Sequence, residues 1–336
     1  MLMKNNICLH TNNFAWVGGI GSFILDFART FPEYQHIMLC FQEREDYNWI
    51  KYLQSFGVKY MNSPLLTQEI LKEINPALVV LHNTRGKSIE GEWPYSFLNK
   101  YRTIALHHAS TWPLISVDLD YFVSKFVRKG YDNCQSRIKR EITMPPCVWS
   151  KSYVNIKRKK NRPITIGRVQ SYTGIRKNKT PLEYIKMLKE IKGDVRFITV
   201  GGGNELKDIA DDRFTFKPVI SGGMPQYLSE IDIFAVWPGD GFRETWSRVV
   251  TEAMLSGIPV VARNVNDGMA EQITASQCGF LAKDKDEFIQ TIQNLVYDAD
   301  LRETTGKKCQ AWALENASEK SLRNNLMSYL FEWSLN

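Results

Sequence analysis

The sequence predicts an α/β protein of two domains, each built on a parallel sheet. Short apolar runs alternate with amphipathic stretches, the scheme occurs twice, and a polar, basic segment around Trp149–Pro163 separates the two occurrences. In the first half the strand candidates are Ile7–Leu9, Ile37–Phe41, Leu78–Leu81, Ile104–Leu106 and Tyr121–Val123. Between the first two, Phe23, Ile24, Phe27, Ala28 and Phe31 recur at helical spacing and form one buried face. The second half repeats the scheme with Ile164–Ile166, Phe197–Val200, Ile233–Val236 and Val260–Ala262. Unrelated sequences on a repeated scheme imply two Rossmann-like domains, over 1–155 and 156–316, followed by a helix within 317–336. In that last helix Leu322, Leu326, Tyr329, Leu330 and Trp333 share a face, as a helix packing back at the domain junction would require.

A chain of 336 residues, 43% hydrophobic and 24% charged, is long enough for a core in each domain. No run approaches the roughly 20 apolar residues of a membrane span. The opening MLMKNNICLHTNNF lacks the apolar core of a secretion signal, so a cytoplasmic location is expected. Cys8, Cys40, Cys134, Cys147, Cys278 and Cys309 show neither a CxxC pair nor a metal-like spacing, and read as reduced, mostly buried thiols. The net charge of +7 is uneven, since residues 1–160 hold 21 basic against 13 acidic side chains. The run Lys157–Lys160 supplies part of this excess. It reads either as a solvated linker or as part of a surface that meets an anionic acceptor or a membrane.

Open parallel sheets bind ligands at the carboxyl ends of their strands. Gly18-Gly19-Ile20-Gly21 stands directly before the first helix, where glycines admit a ligand close to the backbone and the helix N-terminus favours an anion. Ile24 occupies the third glycine position of a dinucleotide fingerprint, so a tight turn and a phosphate loop both stay open. Arg168 closes the strand PITIG, and Arg176, Lys177 and Lys179 precede the helix PLEYIKMLKEI. Cations at a strand end and a helix start can bracket a pyrophosphate, although Arg176 and Lys177 also fit ordinary surface basicity. The segment ETWSRVVTEAMLSGIPVV carries Glu244 and Glu252 eight residues apart, read as one carboxylate at a helix entrance and one two turns inside it, on nearly the same face. The N–H groups near Thr245 to Ser247 then face outward for phosphate oxygens.

With these pieces in hand, the run from Ile166 to about Ala317 resembles the C-terminal half of the family 4 retaining glycosyltransferases. IGRVQ, FITVGGG, MPQYLSEIDIFAV, ETWSRVVTEAMLSGIPVVA, GMAEQI and CGFLAKD stand in the family's order, and EAM-SGIPVVA is the most specific of them. GGIGSFILDFA, PALVVLHN, IALHH and YFVSKFVRKGY extend a looser likeness over the first half. The resemblance implies the GT-B architecture, with the donor mainly on the C-terminal domain and the acceptor in a cleft against the N-terminal one. It implies that Glu252 binds the donor ribose, Glu244 the transferred sugar and Arg168 the pyrophosphate. Thr245, Trp246, Gly18 and Gly19 join the donor-binding set. Spacing favours Lys179 over Lys177 as the lysine partner. His107 is the implied active-site histidine; its neighbour His108 also ends the strand, and His82 and Asn83 fit structural or acceptor-side roles.

The expected reaction is retaining transfer of a hexose from a UDP- or GDP-sugar to a hydroxyl of a glycan, a lipid or another acceptor. No cofactor and no metal are expected. The tripeptides Asp118-Leu-Asp120, Asp284-Lys-Asp286 and Asp298-Ala-Asp300 are read as surface features rather than metal ligands. Peripheral association with an anionic surface fits the basic first half, and no stable nucleic-acid complex is expected. A sugar-nucleotide epimerase or phosphorylase on the same body is the alternative, as is a glycosyltransferase acting on nucleic acid. The incomplete glycine fingerprint disfavours a nicotinamide dehydrogenase, and the lack of an aromatic-basic RNA motif disfavours a plain nucleic-acid-binding module.

Overall fold

The structure is a computed structural model that describes residues 6–13, 18–42, 46–82, 89, 91, 95–109, 115–157, 162–170, 180–201 and 206–331. The chain divides into two compact units, Met1–Cys147 with Leu322–Asn336, and Val148–Ser321.

Unit 1 contains β1 (Ile7–Asn12), α1 (Gly19–Thr30), β2 (Gln35–Cys40), α2 (Tyr47–Gln54), β3 (Lys59–Asn62), α3 (Gln68–Ile74), β4 (Leu78–His82), β5 (Thr103–His107), β6 (Leu119–Phe122), α4 (Lys125–Lys129) and β7 (Glu141–Thr143). Its seven-stranded sheet has the order β3-β2-β1-β4-β5-β6-β7. All paired strands run parallel. The interior strands are buried on both faces and therefore read as continuous apolar runs. Helix α1 buries Phe23, Ile24, Phe27 and Ala28, the face that its spacing predicts.

Unit 2 contains β8 (Ile164–Val169), α5 (Leu182–Glu190), β9 (Val195–Val200), β10 (Phe214–Lys217), α6 (Met224–Leu228), β11 (Ile233–Val236), α7 (Arg248–Leu255), β12 (Val260–Arg263), α8 (Gly268–Ser276), β13 (Phe280–Ala282), α9 (Lys285–Tyr297) and α10 (Ala299–Asn316). Its six-stranded sheet has the order β10-β9-β8-β11-β12-β13, again with parallel pairs. Apolar clusters fill both faces, one with Val250, Met254 and Ile258, the other with Tyr184, Ile185 and Leu188. Each sheet reverses its strand order once, between β1 and β4 and between β8 and β11. Such switch points are where open parallel sheets bind ligands.

Two expectations change. The boundary falls at Cys147/Val148 rather than after residue 155, because Val148 and Tyr153 pack into the unit 2 core. The segment 317–336 also divides. Helix α11 (Glu319–Phe331) opens with Glu319 accepting from the backbone N–H and hydroxyl of Ser150, within unit 2. From Leu322 onward the chain belongs to unit 1, where Leu322 and Leu326 are fully buried. Trp333 lies outside the described residues. No helix among the described residues is long and apolar enough to cross a membrane.

Candidate functional site

Strand β8 delivers Arg168 to the switch point of the unit 2 sheet. Gly167 makes room for the close approach of Ile231, since a Cβ there would fall 2.5 Å from the isoleucine Cδ1. Arg168 follows on the opposite face, with its guanidinium 5.3 Å from the centre of the Tyr184 ring. It is only 4% exposed. Its Nη2 is 3.4 Å from Gln170 Oε1, while Nε and Nη1 have no hydrogen-bond partner among the described residues. Burial pushes its pKa below the usual guanidinium value; Tyr184 and the Glu244 carboxylate pull the other way. Glu244 is thus near enough to act on Arg168 electrostatically. A buried guanidinium with two unmatched nitrogens is costly, and an anionic ligand is the chemistry that would satisfy it.

Beside it, Gln170 Oε1 accepts from the Thr180 hydroxyl at 2.9 Å. Gly201, at the end of β9, has φ +71°, and a Cβ there would sit 2.6 Å from the Gln170 carbonyl oxygen. Only glycine fits that bend, which brings the end of β9 against Gln170.

The two glutamates do not share a helix. Helix α7 begins at Arg248 with Ser247 as its N-cap, so Glu244 stands in the loop before it. Asp267 and Gly268, from the start of α8, fix that loop. Asp267 Oδ2 accepts from the Glu244 backbone N–H at 2.8 Å, while Oδ1 accepts from Met269 N and Ala270 N and caps α8. Gly268 donates its N–H to the Glu244 carbonyl at 2.8 Å. A Cβ at Gly268 would lie 1.8 Å from the Thr245 carbonyl oxygen, so the two backbones touch. The helix N-terminus that was expected over Thr245 to Ser247 therefore starts at Arg248.

Glu252 lies on α7, 3% exposed, with Oε1 accepting from Arg248 Nε at 2.9 Å and from the Tyr153 hydroxyl at 3.1 Å. Trp246 is buried, donates its indole N–H to Thr251 Oγ1 at 3.1 Å and stacks with Trp312. Its side chain is committed to the interior of the unit. Sequence reasoning missed Gln170, Asp267, Gly268, Tyr153 and Arg248. The glycine after an aspartate in NDGMAEQI was the one available signal.

In unit 1, Gly18 is the extended N-cap of α1 and Gly19 its first residue, after β1 and at that sheet's switch point. Among the described residues no side chain caps α1, no acidic residue stands in its first turn, and the space beside Gly19 is open. His107 ends β5, buried, with Nε2 2.7 Å from Asp120 Oδ1 and its ring stacked on Phe122 at 4.7 Å. Burial raises the Asp120 pKa above the usual carboxylate value, and His107 opposes this. His82 and His108 are adjacent, Nδ1 to Nε2 at 3.4 Å. Lys179, Lys177, Arg176 and Asn83 lie outside the described residues.

Of the DxD tripeptides only the first is engaged inside the fold; the other two are exposed helix starts, as expected. Asp118 accepts from the Thr103 N–H and hydroxyl, and Asp120 holds His107. Asp284 and Asp298 are the N-caps of α9 and α10.

Residues 162–298 match the family model described as glycosyl transferases group 1. The sulfoquinovosyl transferase SQD2 of Arabidopsis thaliana is 30% identical over 155 residues, which is 43% of this chain and 28% of that protein's length. Among solved structures, HepE of Anabaena in complex with UDP and glucose superposes with a TM-score of 0.77 at 16% identity, covering 96% of this chain and 98% of that one. A glycosyltransferase from Rickettsia africae gives 0.74 at 15% identity, covering 97% and 98%. The second unit therefore carries a glycosyl transferases group 1 domain, and the fold is the two-domain, parallel-sheet α/β fold of the GT-B glycosyltransferases.

Proposed function

We propose that the chain as a whole is a retaining glycosyltransferase of family 4 type. It moves a hexose from a UDP- or GDP-sugar to a hydroxyl of a glycan or lipid-linked acceptor, in the cytoplasm. The observation that carries this reading is Arg168, a buried guanidinium with Nε and Nη1 unmatched among the described residues, at a switch point inside the matched domain. A donor pyrophosphate supplies the oxygens those nitrogens lack. As the glycosidic bond breaks, charge grows on the leaving oxygen, and a fixed cation gains more in the transition state than in the ground state. Lys179 supplies a second, compact charge. Glu244, held by Asp267 and Gly268, takes the hydroxyls of the transferred sugar, and Glu252 those of the ribose.

His107, tethered to Asp120, carries its proton on Nε2 and offers Nδ1 as an acceptor to a substrate hydroxyl. The acceptor hydroxyl attacks from the face on which the phosphate leaves, and that phosphate takes the proton. Each DxD pair has at least one aspartate committed to a structural bond, which supports transfer without a phosphate-bridging metal. The basic excess of residues 1–160 supports contact with an anionic acceptor surface.

The test is a thermal-shift screen with UDP-, GDP- and ADP-sugars, because a ligand bound only by the native state raises its melting temperature. A UDP- or GDP-sugar is expected to raise it, and Glu252→Ala to weaken nucleotide binding by about 1.5–3 kcal/mol. NMR of the product's anomeric proton then reads the stereochemistry. An α-donor giving a β-linkage would refute the retaining mechanism, and no shift with any nucleotide would remove the donor site.

A further inference from the structure

Four of the five histidines of the chain form one hydrogen-bonded row inside unit 1, across β2, β1, β4 and the end of β5. His36 Nδ1 lies 3.0 Å from His10 Nε2, His10 Nδ1 lies 3.1 Å from His82 Nε2, and His82 Nδ1 lies 3.4 Å from His108 Nε2. At the inner end Cys8 joins them, its Sγ 3.4 Å from His10 Nε2. Strand pairing explains the convergence. Cys8 stands opposite His36 and His10 opposite Met38 in the parallel register of β1 and β2, so all four project from one face. Cys8 and His10 are fully buried and His36 is 4% exposed.

One hydrogen bond fixes the chemistry at this end. His36 Nε2 is 2.9 Å from the Phe31 carbonyl oxygen, which only accepts, so the proton sits on Nε2 and the Nδ1 lone pair points inward. A histidine oriented by a backbone carbonyl through its far nitrogen is the usual support of a metal ligand. One donor atom from each of Cys8, His10 and His36 lies within 4.8 Å of the others. We propose that Cys8 Sγ, His10 Nε2 and His36 Nδ1 form a buried site for one monovalent copper ion, apart from the transfer chemistry.

Ligand type and charge select the ion. A thiolate with imidazoles suits soft transition metals, and the thioether of Met38, opposite His10, is a further soft donor on the same face. Among the described residues Glu33 is the one carboxylate that acts on His36, and it is an exposed partner of Arg323. A divalent ion on one thiolate would leave a net positive charge sealed from water, whereas Cu⁺ on one thiolate is neutral. Loading displaces the Cys8 proton to solvent and forms one metal–sulfur and two metal–nitrogen bonds. His10 shifts its proton from Nε2 to Nδ1, His82 and His108 shift theirs in step, and no imidazole gains or loses a proton. The ion enters during folding, before the strands close over it.

The experiment refolds the full chain anaerobically with Cu⁺ buffered by a chromophoric Cu⁺ chelator, with a parallel Zn²⁺ arm. X-ray absorption of the loaded protein reads its ligands. The expected result is one Cu⁺ per chain, with one or two sulfur and two nitrogen ligands, and at least tenfold weaker binding in both Cys8→Ser and His36→Gln. Circular dichroism confirms that each variant is folded. Failure of the wild-type protein to take up Cu⁺ overturns the proposal whatever the variants do. So does uptake of Zn²⁺ in its place, or equal binding by folded Cys8→Ser.

Discussion

Arg168 is a cation sealed in the interior with two of its nitrogens unmatched among the described residues. Such an arrangement costs the unliganded fold on the order of 1–3 kcal/mol or more, since a charged group lacking partners keeps its full desolvation penalty. Arg168→Met preserves the length and removes the charge. It is expected to raise the melting temperature of the free protein while abolishing the shift that a nucleotide produces; a lower melting temperature would mean that the guanidinium contributes to the fold itself. Turnover by Arg168→Ala should fall roughly 10²–10³-fold, mainly in kcat. His108 carries a different penalty. Burial, helped by neighbouring His107, pushes its pKa from 6.5 down to about 3. The unfolded chain takes up this proton below pH 6.5 and the folded chain does not, so stability falls as the pH falls through that window. The loss is about 1.4 kcal/mol per pH unit, or about 2 kcal/mol by pH 5. Urea unfolding of wild type and His108→Gln at about pH 7.5 and 5 measures it, and the variant should lose one proton's worth of the pH slope.

At the scale of elements, the start of α8 does two jobs. The Asp267 carboxylate caps its own helix with one oxygen and holds the Glu244 loop with the other, while Gly268 lets the Thr245 backbone lie against it. Asp267→Asn can keep only one of these, because its amide nitrogen, a donor, must face either the Glu244 N–H or the N–H groups of Met269 and Ala270. The expected cost is about 1–2 kcal/mol of stability, as for a lost cap, together with a higher KM for the donor. Gly268→Ala should raise that KM more than Asp267→Asn does, since its Cβ displaces the loop itself; donor kinetics of the two folded variants decide this. The strands that sequence reasoning missed have a common cause. β3, β7, β10 and β13 are the four sheet edges, each with a single partner and a half-exposed or exposed face. Burial on both faces writes an apolar run into an interior strand, and an edge strand carries no such demand.

For the molecule as a whole, α11 from Leu322 onward belongs to the same unit as β1 and α1. Arg323 of α11 donates to the Thr30 carbonyl at 2.7 Å and pairs with Glu33, and Leu322 and Leu326 are fully buried in unit 1. Leu326→Ala should cost about 2–5 kcal/mol, read as a lower urea midpoint for unit 1; a neutral result would show that α11 is dispensable there. The sequence by itself determined the two parallel-sheet units, their interior strands, the apolar face of α1 and the placing of Arg168 at a strand end. These features are local, because a strand or helix writes its burial into consecutive residues. Strand pairing and loop contacts are not written that way. Only the tertiary structure placed Glu244 in a loop under Asp267, set Tyr153 on Glu252 and moved the unit boundary to Cys147/Val148. It alone brought Cys8, His10 and His36 together, because the parallel register sets Cys8 against His36, 28 positions further along the chain, a separation that no sequence spacing encodes.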